Sequence, residues 1–490
     1  MNITLIVFVV LYLLGTLGLG VWAGTRIKNT SDFAIAGRSL PLIMVITTTF
    51  ATWFGAETVM GIPARFVQGG LNSIIDDPFG AGTCLILVGA FFATKLYRLN
   101  LLTIGDFYRG RFGKGVEIFC SAAIILSYLG WVAAQITALG LVFSVLTNGA
   151  MSETAGMIVG TLAVLIYVVI GGFLAVAWTD FIQMIVLVIG LSIIAIFSAR
   201  LAGGADHVFA MAQNKDLFRF LPEPKLNDVV MFVGAGVTMM LGSIPQQDVF
   251  QRVMSAKDEK TARNGAMIGG LSYILFAAVP MFIVSSAVVV MGQQALDLVQ
   301  GEYQKLLPLF VLSKMPLIMQ ILFFGALLSA IKSTSSATLL APSTSFVENI
   351  LKNIVPLGDR KQLLAMRISI VVFAGLVLTY AIVMKGTPIY DLVSNAYQVT
   401  LVGAFVPLAM GLYWKRATTQ GAVLSLVAGV GVWIAFLPQV SKLGEACPGQ
   451  FAGLIAAFAG IIVGSLLPQW VRDRRDHKAH VTGLPDEATA

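Results

Sequence analysis

Ser333 and Thr334 follow Ala330 at i+3 and i+4, so on a helix the two hydroxyls and the Ala330 carbonyl share one face. Short hydroxyls and backbone carbonyls are hard oxygen donors. They can hold an alkali cation inside a membrane without a costly buried carboxylate. The competing use of such hydroxyls is to bond back to the preceding turn of their own helix. Lys332 stands between them, the one basic residue deep inside an apolar stretch. A charge there costs roughly 2.5–3.5 kcal/mol on insertion scales and marks a functional position by default. It either reaches an aqueous vestibule or a carboxylate, or it competes with the cation and carries a proton in its place. Position 332 lies about 100° around the helix from Ser333, so it need not point at the same spot.

Catalytic chemistry has no comparable footing. The chain contains no HExxH, no GxSxG and no phosphate loop. Its three histidines, His207, His477 and His480, fall outside the apolar stretches. An enzyme is not expected.

The elements that position these residues are membrane helices. Of 490 residues 57% are hydrophobic and only 12% charged, about half the charged share of an ordinary soluble domain. Thirteen spans are read at about 3–24, 41–64, 74–94, 118–152, 154–179, 181–199, 229–247, 264–296, 315–347, 368–384, 392–414, 417–441 and 446–471. The first lacks a basic leader and is too long for a secretory core, so it is expected to be retained. Cys84, Cys120 and Cys447 match no disulfide or metal-ligand spacing and are expected to pack as small apolar residues. The fold class expected is an all-α polytopic membrane protein. A single transmembrane domain is read over 1–471, with a polar cytoplasmic tail over 472–490.

An odd number of spans puts the termini on opposite sides. With the N-terminus outside, the cytoplasmic loops hold twenty-two Lys and Arg residues against nine outside. The positive-inside rule therefore orients the chain N-out and C-in, in a bacterial-type inner membrane. Basic loops beside anionic headgroups account for the net charge of +7, and no nucleic-acid partner is expected.

Two spans are interrupted. The second carries Phe54-Gly55-Ala56-Glu57, and the seventh, five spans on, carries Gly242-Ser243-Ile244-Pro245-Gln246-Gln247-Asp248. Matched broken helices in two halves point to an inverted-repeat transporter with its site at mid-membrane. Repeats over 41–199 and 229–414 would flank that site. The competing reading is that Gly-rich helices simply pack closely.

Four strings in order resemble the sodium:solute symporters, whose members carry sugars, proline, pantothenate and choline. They are Ser31-Asp32-Phe33-Ala34-Ile35-Ala36-Gly37-Arg38-Ser39-Leu40, Gly171 to Gln183 (GGFLAVAWTDFIQ), Phe250-Gln251-Arg252 and Gly411-Leu412-Tyr413-Trp414-Lys415-Arg416. The resemblance covers nearly the whole chain. It implies a five-plus-five inverted repeat with peripheral helices, and cation-coupled symport of a small organic solute by alternating access.

The resemblance also implies a Na⁺ site between the second and ninth spans, formed by the carbonyls of Ala51, Phe54 and Ala330 and the hydroxyls of Ser333 and Thr334. Lys332 departs from the family, whose members usually place an apolar residue there. That departure keeps open H⁺ coupling, or no coupling, in place of Na⁺. Asp180, read at a span end, is a second coupling candidate. Asp76 and Asp77, also read at a span end, could be solvated or could guide cations.

For the solute the resemblance implies Trp53, Glu57, Thr58, Trp131, Gln135, Gln246, Gln247, Tyr397 and Gln398. Trp53 and Trp131 match positions where choline carriers use aromatic rings, a fit for cation–π attraction. Gln246 stands where those carriers have a further Trp. That weakens the quaternary-amine reading and favours a hydrogen-bonding solute such as an amino acid or small carboxylate. The bland reading of each Trp is helix packing or headgroup anchoring. A solute sensor on a transporter scaffold is the remaining alternative, and the sequence shows no C-terminal signalling domain.

Overall fold

The computed structural model describes residues 3–437, 440–445 and 447–471; the polar tail over 472–490 lies outside the described residues. Its framework is helical, and the described residues contain no strand beyond an isolated bridge between Leu40 and Ala256. In chain order the principal helices are α1 (Ile3–Gly24), α2 (Leu42–Trp53), α3 (Glu57–Gly69), α4 (Leu71–Arg98), α5 (Ile104–Phe112), α6 (Lys114–Leu146) and α7 (Glu153–Leu201). The second half holds α8 (Leu226–Gly242), α9 (Gln247–Ser255), α10 (Glu259–Met291), α11 (Leu317–Asn353), α12 (Asp359–Val383), α13 (Ile389–Tyr413), α14 (Thr419–Ala435) and α15 (Gly449–Leu466). Among the described residues eight are long and apolar enough to cross a membrane, or up to ten when each bent pair counts as one span.

The bent pairs are the two interruptions read in the sequence. α2 and α3 meet at 57°, and α8 and α9 meet at 46°. α2 stops because Phe54 leaves helical geometry at φ −90°, ψ 70°. Gly55 follows, where a Cβ would fall within 2.9 Å of three side-chain oxygens. α8 stops at Ser243-Ile244-Pro245, since a proline cannot donate to the turn before it. α9 runs on to Ser255, well past the expected end at 247.

The expected separation of 154–179 from 181–199 falls at a different place. Both belong to the 49-residue α7, which breaks at Gly172 (φ 50°, ψ −152°). That conformation suits glycine, and a Cβ there would strike the Phe33 ring at 2.5 Å. A charged residue had suggested the boundary, but backbone geometry sets it eight residues earlier. Asp180 is consequently a mid-helix residue.

Outer faces such as Leu126, Leu162, Ile189 and Leu376 are exposed and apolar, as lipid contact requires. Interior contacts use small residues: a Cβ at Gly156 on α7 would meet the Gly140 Cα on α6 at 3.0 Å. Cys84 and Cys120 are buried and unbridged. The deepest faces are rich in hydroxyls, including Thr47–Thr49 and Thr52 on α2 and Ser333–Ser336 on α11.

Candidate cation and solute sites

α11 presents its hydroxyl face to the break after α2. Thr334 Oγ1 donates to the Thr52 carbonyl at 2.8 Å, on the turn bounded by the Ala51 and Phe54 carbonyls. One residue back, Ser333 Oγ donates to Asp180 Oδ1 at 2.6 Å, and Thr48 Oγ1 donates to the other carboxylate oxygen at 2.5 Å. Ala51, Phe54, Ala330, Ser333, Thr334 and Asp180 are all buried to 2% exposure or less. The structure thus brings α2, α7 and α11 together around a set of oxygen donors, the type that a hard cation prefers. Among the described residues no cluster of three His, Cys, Asp or Glu side chains forms a conventional metal site.

The sequence read Asp180 at a span end, and the structure places it instead as a fully buried carboxylate between two hydroxyl donors. It also adds residues that sequence reasoning passed over. Buried Arg252 on α9 donates to the Asp248 carbonyl at 2.6 Å, to the Thr48 carbonyl at 3.4 Å and to the Thr52 hydroxyl. It ties the second broken helix to the first. The Phe-Gln-Arg string and the threonine run were the available signals.

Lys332 is 2% exposed, with its ammonium 4.2 Å from the centroid of the Tyr167 ring on α7, a cation–π distance. The neighbouring hydroxyls turn instead to Asp180 and Thr52.

The expected solute residues converge in part. Rings of Trp53, Trp131 and Tyr397 touch mutually, at centroid distances of 5.5 Å (Trp53 to Trp131), 5.5 Å (Trp131 to Tyr397) and 6.0 Å (Trp53 to Tyr397). Tyr128 stacks on Trp131 at 6.0 Å, a fourth ring the sequence did not suggest. Glu57 lies beside them, taking Trp131 Nε1–H at 3.1 Å and Gln135 Nε2–H at 2.5 Å. Gln135 Oε1 accepts the Ala56 amide at 2.9 Å, so α6 holds the break open by substituting for the lost helical bonds. Gln246 Nε2 donates to Ser127 Oγ at 2.8 Å and to Thr400 Oγ1 at 3.5 Å. Thr58 bonds the Trp53 carbonyl and the Tyr273 hydroxyl.

Two expected residues do not join. Gln247 Oε1 accepts the Ile104 amide at 2.9 Å and caps α5. Gln398 faces α14, where it accepts Trp433 Nε1–H at 3.2 Å. Asp76 and Asp77 are buried rather than solvated: Tyr390 and Ser394 hold Asp76, and Tyr273 holds Asp77 at 2.5 Å.

The two groups meet at Gly55. A Cβ there would lie 2.6 Å from Glu57 Oε2 and 2.7 Å from Thr334 Oγ1. One methyl-sized volume therefore separates a solute-side carboxylate from a cation-side hydroxyl.

Comparison with known proteins agrees with this architecture. The model of the sodium:solute symporter family matches residues 33–429. The chain is 27% identical to the high affinity choline transporter 1 of Homo sapiens, over 87% of this chain and 75% of that one. It is 26% identical to the high-affinity proline transporter PutP of Bacillus subtilis (93% and 97%) and 25% identical to the sodium/sialic acid symporter NanT of Aliivibrio fischeri (93% and 91%). A solved substrate-bound, outward-open Na⁺-coupled sialic acid symporter superposes with a TM-score of 0.81 at 20% identity, over 98% of this chain and 99% of that one. MhsT in complex with L-phenylalanine superposes at 0.55 and 17% identity, over 87% and 98%.

Proposed function

The chain belongs to the sodium:solute symporter family, as a multi-pass membrane transporter, and we propose that it carries a small organic solute by sodium-coupled symport. The observation that carries this reading is the junction of α2, α7 and α11. Thr334 reaches the broken backbone at Thr52 while Ser333 and Thr48 converge on Asp180.

In this reading Na⁺ is held by the Ala51, Phe54 and Ala330 carbonyls and the Ser333 and Thr334 hydroxyls, with Asp180 supplying the balancing charge. The spans form a five-plus-five inverted repeat over 41–199 and 229–414, within thirteen spans running N-out to C-in. Relatives named for choline, proline and sialic acid support a solute of that size. The solute occupies the Trp53, Trp131 and Tyr397 cluster once those rings part. Occupancy of the cation site fixes the α2 break against α11, and through Gly55 it sets the position of Glu57. Binding of one ligand thereby favours the other, a reciprocal coupling of affinities.

The test is the unfolding midpoint of the purified protein, titrated with Na⁺ against K⁺ at constant ionic strength. A ligand that binds only the folded state raises the midpoint. A sodium-specific rise that disappears in Ser333→Ala/Thr334→Ala supports the reading, and equal responses to Na⁺ and K⁺ overturn it.

A further inference from the structure

We propose that the solute is a small zwitterion with a protonated primary or secondary amine and a carboxylate, and that Glu57 is the counter-charge for its ammonium; the inference rests on the symporter reading above. Glu57 is 2% exposed, and both of its oxygens are held by neutral donors, Trp131 Nε1–H and Gln135 Nε2–H. Neither bond brings a positive charge with it. Burying a carboxylate is costly unless a cation answers it. Three mutually touching aromatic rings beside it offer the faces on which an organic cation rests.

Those rings alone would also suit a quaternary ammonium. The polar atoms around them decide against it. Gln246 Oε1, Trp53 Nε1 and Tyr397 Oη belong to side chains 1% exposed, and none has a hydrogen-bond partner among the described residues. Buried polar groups in native proteins are nearly always satisfied, so these three, gathered at the ring cluster, are open to a ligand's donors and acceptors. The amide oxygen of Gln246 can only accept, and it calls for a donor, N–H or O–H. The indole N–H can only donate, and with the Tyr397 hydroxyl it suits a carboxylate. A quaternary betaine has no donor to give and would leave the Gln246 oxygen desolvated and unpaired, and choline could reach it only through its single hydroxyl.

The order along α6 agrees. Ser127, Trp131 and Gln135 stand at i, i+4 and i+8 on one helix face, about 6 Å apart per step. Ser127 holds Gln246, Trp131 carries the ring cluster, and Gln135 holds Glu57. The aromatic floor is thus flanked by an amide on one side and a carboxylate on the other.

The experiment is the unfolding midpoint of the full-length purified chain in saturating Na⁺. It is read with the proteinogenic amino acids and simple amines, each paired with its fully N-methylated counterpart, together with choline and small monocarboxylates. The expected result is stabilisation by at least one N–H-bearing zwitterion, binding at least tenfold tighter than its N-methylated partner. Glu57→Gln and Gln246→Leu should each weaken that ligand at least tenfold. Stabilisation by choline, by an N-methylated partner or by a monocarboxylate at equal or lower concentration overturns the proposal. Failure of every N–H-bearing compound overturns it too. The wild-type response needs no variant to fold. A sodium shift that persists without any zwitterion effect defeats the solute class alone, whereas loss of the sodium shift itself defeats the symporter reading.

Discussion

Ser333 Oγ donates to Asp180 Oδ1 at 2.6 Å, joining the hydroxyl face of α11 to a carboxylate eight residues beyond the Gly172 break in α7. Thr48 takes the other oxygen, so a single carboxylate fastens three helices. A neutral amide could keep both hydroxyl contacts but would supply no charge. Asp180→Asn should therefore fold, with an unfolding midpoint in K⁺ close to wild type, yet bind Na⁺ at least tenfold more weakly. That loss corresponds to about 1.4 kcal/mol or more. Sodium titrations of the midpoint read it directly, and an unchanged sodium affinity would remove Asp180 from the cation site.

Gly55 separates the two proposed sites by the space of one methyl group. In Gly55→Ala the new Cβ would sit 2.6 Å from Glu57 Oε2, 2.7 Å from Thr334 Oγ1 and 2.9 Å from Gln135 Oε1, closer than real contacts allow. Relief requires displacing the carboxylate, the hydroxyl or both, at about 1–3 kcal/mol of overpacking. Sodium binding and solute binding should fall together in this variant. Wild-type affinity for either ligand would show that the two groups can move independently.

Much of this was readable in advance, for physical reasons that also explain what was not. Breaks after α2 and α8 announce themselves through Gly and Pro in apolar runs, and Ser333 with Thr334 through helical spacing. The burial of Asp180 was hidden because a charge looks like a span end, while the actual break at Gly172 is set by a close approach to Phe33. The meeting of Trp53, Trp131 and Tyr397 depends on three helices far apart in sequence. Gln247 and Gln398 turn elsewhere although each follows a residue at the cluster, Gln246 and Tyr397, because one step along a helix turns a side chain about 100° away.

Lys332 is the clearest departure from the family pattern, and its ammonium packs over Tyr167 while the adjacent hydroxyls hold Asp180 and Thr52. Lys332→Met should leave the sodium-specific midpoint shift within threefold of wild type in midpoint concentration. If wild type shows no sodium effect and Lys332→Met gains one, the lysine takes the place of the ion and the driving force is to be sought in protons.

Outside the spans, Asp106 of α5 accepts the Thr103 amide at 3.0 Å and the Asn349 side chain at 3.1 Å. Burial pushes its carboxyl up to about 6, and the charge of Glu348 adds to the push. The native state therefore holds this proton more tightly than the unfolded chain does. The stabilisation is complete below the ordinary carboxylate value near 4 and is lost as pH rises through about 6. Between pH 7 and pH 5 wild type should gain about 1 kcal/mol at most, since Asp106 keeps some solvent contact. Asp106→Asn should flatten that part of the profile, and an identical slope in the variant would assign the pH response elsewhere.

Alternating access requires that the broken helices move against their surroundings, and α3 offers a handle. Arg65 lies 4.0 Å from Asp391 at the start of α13, with both side chains more than a third exposed. Such a pair contributes at most about 1 kcal/mol, weak enough to open and close with each cycle. Replacing both by cysteine in a Cys447→Ser background, where the remaining Cys84 and Cys120 are buried, allows a bifunctional thiol reagent to lock the pair. Solute uptake into proteoliposomes should fall more than tenfold on cross-linking and return on reduction, while the sodium-dependent midpoint shift persists. Uptake at the unmodified rate after complete cross-linking would show that α3 and α13 need not separate, and the moving element would have to be sought on the other side of the site.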